Sequence, residues 1–255
     1  MKHHDPEHLR QLLETKVCPK GELFGVDVSK ADLSKAVLYS SDLREANLSK
    51  ANLAKADLQE ANLVGADLHG ADLNGANLHQ ANLAQADLSG ALLFFADLHE
   101  ANLPEANLKH ADLTEVDLLQ ADLEGADLSG AKLSESKLRG AKLIRASLYG
   151  ADLSKVNLSE VDFSEADLTN ANLKAADLSK AVLTRAKLSG ANLHRVNIHG
   201  ADLSEADLTN TNLFGIDLRE AITENTQFEN AILCNTILPD GTVEYRDCED
   251  DAEVG

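Results

Sequence analysis

Residues Ala121–Gly130 read ADLEGADLSG, and almost the whole chain repeats one half of that stretch. The unit is five residues: a small residue, Asp or Asn, Leu, and two variable positions. From Gly21-Glu22-Leu23 to Thr236-Ile237-Leu238 the phase never slips through roughly forty-four copies. The third position is apolar in nearly every copy, with Val28, Phe163, Ile198 and Phe228 as variants and Thr223 as the one polar occupant. The first is almost always Ala, sometimes Val (116, 156, 161, 196), Ser (41, 136) or Thr. A period of five suits neither an α-helix, which repeats every 3.6 residues, nor a strand, which repeats every two. Such a chain must turn by a fixed angle at every copy.

The physical solution is a solenoid. In extended backbone, Ala and Leu two residues apart point to one side and the intervening Asp or Asn to the other. The two variable positions form the bend, where Gly65, Gly70 and Gly130 sit naturally. The short Asp or Asn side chain can bond the nearby backbone and so favours that bend. Large Leu alternating with small Ala fills the axis with little void. Stacked turns pair their backbone N–H and C=O groups about 4.8 Å apart. The spacing predicts an all-β solenoid and leaves open its handedness and the number of copies per turn.

The A(D/N)LXX pattern resembles the pentapeptide-repeat family, cyanobacterial members included, and the resemblance covers everything except the two ends. It implies a right-handed, four-sided parallel β-helix with one copy per face. At about twenty residues per coil, that gives roughly eleven coils and a rod about 50 Å long. It also implies a non-enzymatic protein. The family's best understood members resemble duplex DNA in shape and charge and bind DNA gyrase. The motif Val17-Cys18-Pro19-Lys20-Gly21 resembles a lead-in in which a second Cys often follows two residues after Pro, a place taken here by Gly21.

The organisation expected is an N-terminal cap over 1–20 with a short helix at about 5–15, a β-helix over 21–240, and a closing strand with an acidic, disordered tail over 241–255. Asp5-Pro6 reads as an N-cap followed by a first-turn proline, and Leu9, Leu12 and Leu13 fall at helical spacing to lid the first coil. Thr242-Val243-Glu244-Tyr245 follows a Pro239-Asp240-Gly241 turn signal and can add the last strand. The opening residues hold no apolar run, so the reading is no signal peptide, no membrane span and cytoplasmic residence. The three cysteines form no pattern, so no disulfide framework is expected, and Cys18 reads as a core residue.

Formal net charge is −20, with no Trp. That balance argues against direct nucleic-acid binding and anionic membranes, and it suits a basic protein partner. Since the inward positions are uniform, specificity must lie outside. One departure is Ala91-Leu92-Leu93-Phe94-Phe95, which puts Leu92, Phe94 and Phe95 on the surface, with Leu119 placed to extend the patch from the next coil. A second is Ala131–Gly150, where Lys132, Lys137 and Lys142 replace the usual acid, joined by Arg139 and Arg145 and flanked by Ile144 and Tyr149. Such a girdle suits an acidic, partly apolar partner. Alternatively, these lysines simply bridge neighbouring acids.

His79 and His99 are expected as column neighbours, and His4 and His8 could face each other, yet neither pair has a convergent third ligand, so no metal or cofactor is expected. No phosphate loop, Ser–His–Asp set or Cys–His pair is present. The leading function is a scaffold that presents side-chain columns to an unknown protein, and the runner-up is a DNA mimic acting on gyrase. Against the mimic stand the basic girdle, Lys187 in place of another acid, and the lack of a loop insertion or an amphipathic C-terminal helix. Ile222, Ile232 and Ile237 occupy outward positions near the C-terminus, so the closing strand or a C-terminal homodimer should cover them.

Overall fold

The computed structural model describes residues 4–248. Helix α1, Pro6–Thr15, begins as the sequence dictates: the Asp5 carboxylate accepts from the Glu7 N–H at 2.8 Å and Pro6 occupies the first turn. It ends where Lys16 turns left-handed (φ 57°) and donates its N–H to the Leu12 carbonyl. Leu12 is fully buried and Leu9 is partly buried against the first coil. Leu13 lies 55% exposed, so the lid rests on two leucines rather than three. His8 Nδ1 accepts from the Glu22 N–H at 3.1 Å, tying the helix to the first coil.

From Val17 onward, second-position residues bridge, in parallel, the residue twenty positions later, from Val17–Val37 to Asp217–Ile237, with the single step Asn197–Asp217 missing. One coil is therefore four units. The unit at Ala121–Gly125 shows how its amides are satisfied. Asp122 N–H donates back to Ala101 O (3.0 Å), while Leu123 N–H and Gly125 N–H donate forward to Lys142 O (2.8 Å) and Ile144 O (2.9 Å). The Ala126 N–H closes the turn onto Leu123 O at 3.0 Å. The remaining amide, on Glu124, donates to Asp122 Oδ1 at 3.1 Å. The repeated Asp or Asn therefore supplies the one acceptor that the ladder lacks. Pro104 has no N–H to offer its turn, and Asn102 Nδ2 donates to Asn82 Oδ1 of the preceding coil at 2.9 Å.

Each turn has a left-handed fifth residue: every fifth position from Lys20 to Asn235 except Glu220 has positive φ. That is the φ pattern of a type II turn. At Gly130 glycine suits the φ of 66°, and a Cβ there would lie 2.5 Å from His110 Nδ1, so the imidazole would have to move. Two turn residues in every five leave too little extended chain for a strand. The coils are thus ladders of isolated bridges rather than the strands expected of an all-β protein.

The first and third positions form one continuous buried column from Leu12 to Leu233. Hydroxyls that replace Ala there are satisfied internally: Ser41 donates to Cys18 O (2.9 Å) and Thr236 to Leu213 O (2.8 Å). Cys18 is buried, as expected of a core residue.

The only strands among the described residues close the C-terminal end. β1 (Thr236–Ile237) pairs antiparallel with β2 (Val243–Glu244), covering Ile237 while Ile222 and Ile232 stay 49% and 44% exposed. Against expectation, Cys234 and Cys248 form a disulfide. The hairpin folds the chain back and brings two residues fourteen apart in sequence to a Cα separation of 4.8 Å, a juxtaposition that spacing alone does not reveal. Arg246–Cys248, expected to begin a disordered tail, are held by this bond and by Asp247, whose carboxylate accepts from the Leu233 N–H at 2.8 Å. Residues 249–255 of that expected tail lie outside the described residues.

Candidate functional site

The unit Ala91–Phe95 departs from the pattern at three outward positions. Leu92 makes the usual bridges to Asp72 and Asp112 but offers no carboxylate to the turn. The Phe94 N–H instead donates to Asn74 Oδ1 of the preceding coil at 2.9 Å. Phe95 takes the left-handed fifth position at φ 57°, a conformation unfavourable for a bulky side chain. Its N–H reaches Thr114 O at 3.4 Å, where most equivalent bonds are near 2.9 Å. Leu92, Phe94 and Phe95 are 46%, 39% and 57% exposed, and the two rings pack at 4.1 Å between centroids, tilted by 59°. Three apolar side chains thus share one turn on a rod whose other apolar residues are mostly inside. Leu119 is half-buried in the column of His79 and His99, on the adjoining face of the next coil. Those two imidazoles stack at 5.3 Å.

The girdle sits two to three coils further on. Lys132 pairs with Asp112 (3.6 Å), Lys137 with Asp117 (3.0 Å), Arg139 with Glu160 (3.1 Å) and Arg145 with Glu124. Lys142 makes no ion pair among those of the described residues. Burial lifts the Asp112 carboxyl, but the Thr114 hydroxyl and N–H together with Lys132 hold it below its ordinary range. Ile144 is half-buried, and exposed Tyr149 accepts from Asn170 Nδ2 at 3.3 Å. Four of the five cations are therefore engaged with acids of adjacent coils, as exposed pairs that add little to stability. Lysines at the second position supply no acceptor to the turn. The ladder loosens here too, and the Gly140 N–H to Ser159 O distance stretches to 3.4 Å.

Among the described residues no group of three His, Cys, Asp or Glu side chains is placed to hold a metal ion. Among the described residues no helix is long and apolar enough to cross a membrane.

The profile of the family described as pentapeptide repeats matches residues 22–59, 51–90, 91–130, 131–170 and 171–210. The chain belongs to the pentapeptide-repeat family. Among solved pentapeptide-repeat structures it is similar to HetL of the cyanobacterium Nostoc sp. strain PCC 7120, which is involved in the regulation of heterocyst differentiation. That match is 31% identical over 95% of this chain and 100% of HetL, with a TM-score of 0.40. Rfr23 of the cyanobacterium Cyanothece 51142 is 23% identical over 80% of this chain and 96% of its own, with a TM-score of 0.16. Full-length QnrB1, a plasmid-mediated fluoroquinolone resistance protein, is 18% identical over 81% and 90%, with a TM-score of 0.37. No curated protein gives a sequence match.

Sequence reasoning did not reach two features of this pentapeptide-repeat rod. His194 stacks on Phe214 at 4.8 Å beside the disulfide-held tail, a consequence of the twenty-residue register. Between Asn197 and Asp217 the ladder opens, and the readable signal is Val196 followed one coil later by Ile216, where this face usually carries Ala.

Proposed function

We propose that this pentapeptide-repeat protein is a non-enzymatic, cytoplasmic interaction scaffold: a right-handed, four-sided rod that binds a protein partner through the Leu92–Phe94–Phe95 surface. The observation that carries this reading is the exposure of all three side chains on one turn, Phe95 at 57% on a left-handed residue. A contiguous apolar group on an otherwise polar surface is the usual mark of a contact region. Aromatic anchors supply most of the energy in such contacts. The paired girdle residues Lys132, Lys137, Arg139 and Arg145, with Lys142, Ile144 and Tyr149, would form its rim, where partner acids compete for cations already engaged. A net charge of −20 favours a basic partner and disfavours nucleic acid and anionic membranes.

The same charge supports a second reading, the DNA-mimicking ligand of gyrase, but the girdle interrupts the acidic surface. Affinity capture with the intact rod and with Phe94→Ser/Phe95→Ser tests the scaffold reading. A partner retained by the native protein and lost by the variant is expected. Equal retention by both removes the aromatic surface from the account.

A further inference from the structure

Across the step from Asn197 to Asp217 the rod loses a full set of ladder contacts. One coil earlier, Leu178 N–H donates to Asn197 O (2.7 Å), Lys180 N–H to His199 O (2.9 Å) and Asn197 N–H to Ala176 O (3.0 Å). One coil later, Leu218 N–H donates to Ile237 O and Ile237 N–H to Ile216 O, both at 2.8 Å. Between them the bridge is missing, and the amides of Ile198, Gly200 and Asp217 make no hydrogen bond. The carbonyls they would normally meet, on Asp217, Arg219 and Val196, accept none either. A cavity of about 250 Å³ occupies the gap, with Val196 and Ile198 among its lining residues.

The cause is legible in the first-position residues of this face, which run Ala36, Ala56, Ala76, Ala96, Val116, Ser136, Val156, Ala176, Val196, Ile216, Thr236. Only at 196 and 216 do two β-branched aliphatic side chains follow each other in successive coils. Both are buried, at 5% and 1% exposure, whereas the buried Val116 and Val156 each stack between Ala and Ser in the coils on either side. The extra methyl groups hold the two coils apart at this face, while the neighbouring faces stay bridged through Asn192–Asn212 and Asp202–Ile222.

The charges at the mouth are already spoken for. Arg219 donates to both oxygens of Asp217, through Nε at 3.0 Å and Nη2 at 2.6 Å, and Glu220 Oε2 lies 3.1 Å from His199 Nδ1 across the two coils. What remains unmatched is neutral backbone on both lips: the Ile198 and Gly200 N–H groups with the Val196 carbonyl on one, and the Asp217 and Arg219 carbonyls with the Asp217 N–H on the other. An ion would find no free counter-charge, and a purely apolar group would leave the backbone unsatisfied. A planar neutral group carrying both a C=O and an N–H serves a donor on one lip and an acceptor on the other at once. It accepts from Ile198 or Gly200 and donates to the Asp217 or Arg219 carbonyl, replacing one broken link of the ladder through an intermediary.

We propose that the Asn197–Asp217 gap is a binding site for an amide group, supplied either as a side-chain carboxamide or as a peptide group of an extended segment. The site is independent of the Leu92–Phe95 surface and stands or falls separately from it.

Amide-resolved NMR titration of the full chain tests the proposal with two probes, N-acetyl-glutamine methylamide and N-acetyl-alanine methylamide. Saturable shifts at the Ile198, Gly200 and Asp217 amides are expected, with the ladder amides of Leu178 and Lys180 unmoved. Saturation by both probes assigns the site to peptide groups, and saturation by the glutamine probe alone assigns it to carboxamides. The variant Val196→Ala/Ile216→Ala returns the face to the prevailing small residue. It should fold, close the gap, slow hydrogen exchange at the Ile198 amide and lose the titration. Glu135→Gln, at an exposed position about three coils away, should keep it. No saturable shift with either probe, or undiminished binding by the double alanine variant, overturns the proposal.

Discussion

Replacing Leu123 with Asp tests the inside–outside assignment of the rod at its middle. Leu123 is fully buried, with its N–H bonded to Lys142 O at 2.8 Å, so the substitution acts on packing rather than on a turn. Removing the leucine forfeits about 2–3 kcal/mol of apolar burial. Placing an unpaired carboxylate in the same axis adds several kcal/mol more. The sum, on the order of 5 kcal/mol or above, rivals the whole stability of an ordinary domain. In a solenoid, where each coil contacts only its neighbours, that loss opens the rod locally and propagates outward. The adjacent Asp122→Ser removes only the acceptor that holds the Glu124 N–H at 3.1 Å, and a serine hydroxyl can replace part of it. A cost of about 1 kcal/mol or less follows. Urea unfolding of both variants followed by circular dichroism should show a collapsed or absent transition for Leu123→Asp and a small midpoint shift for Asp122→Ser. Comparable losses from the two would refute the assignment.

Four further outcomes are expected. Reducing the Cys234–Cys248 bond, or replacing Cys248 with Ser, should lower the stability of the C-terminal coil by roughly 3 kcal/mol for a loop of this length, read by exchange of the Leu233 amide; an unchanged rate contradicts the clamp. Acid should destabilise the rod. The Lys16 ammonium, with Ser34, holds the Asp32 carboxyl down at about 2, and hydrogen bonds from Ser29 lower Asp27, so their contribution is intact above the ordinary carboxylate range and is lost as pH falls through the folded values. Melts from about pH 5 down to about 2 check the sign, and a rise in stability would contradict it. In a purified supercoiling assay the protein should not inhibit gyrase, and potent, salt-sensitive inhibition would promote the DNA-mimic reading. Exposed Ile222 and Ile232 should drive a C-terminal homodimer that strengthens with salt, since Asp247 and the acids beyond it are gathered twice at the junction; light scattering of the full chain and of residues 1–248 that stays monomeric throughout removes the dimer.

The repeat made the coil legible because the constraint is local and multiplied. A small residue and a leucine two apart must both face inward, and Asp or Asn beside a bend must serve the backbone. The capping helix was readable for the same reason, since Asp5, Pro6 and the leucine spacing act within one turn or two. What escaped depends on contacts between distant copies. Leu13 shares its spacing with Leu9 and Leu12 but falls just off the covered stripe. Cys234 and Cys248 meet only because a hairpin returns the chain, and Val196 matters only because Ile216 stands one coil above it. In the candidate surface, the apolar character of Leu92, Phe94 and Phe95 was plain from the sequence. The compensating bond from Phe94 to Asn74 was not, because it needs the twenty-residue register.

Site-specific photo-crosslinking in cells tests the interaction scaffold most directly. A benzophenone side chain placed at Phe95 should trap one discrete partner. The same group at Lys35, an exposed left-handed position three coils away in the same column, should trap none. Identical adducts at both positions, or none at Phe95 while the rod remains folded, would contradict the assignment of Leu92, Phe94 and Phe95 as the contact surface.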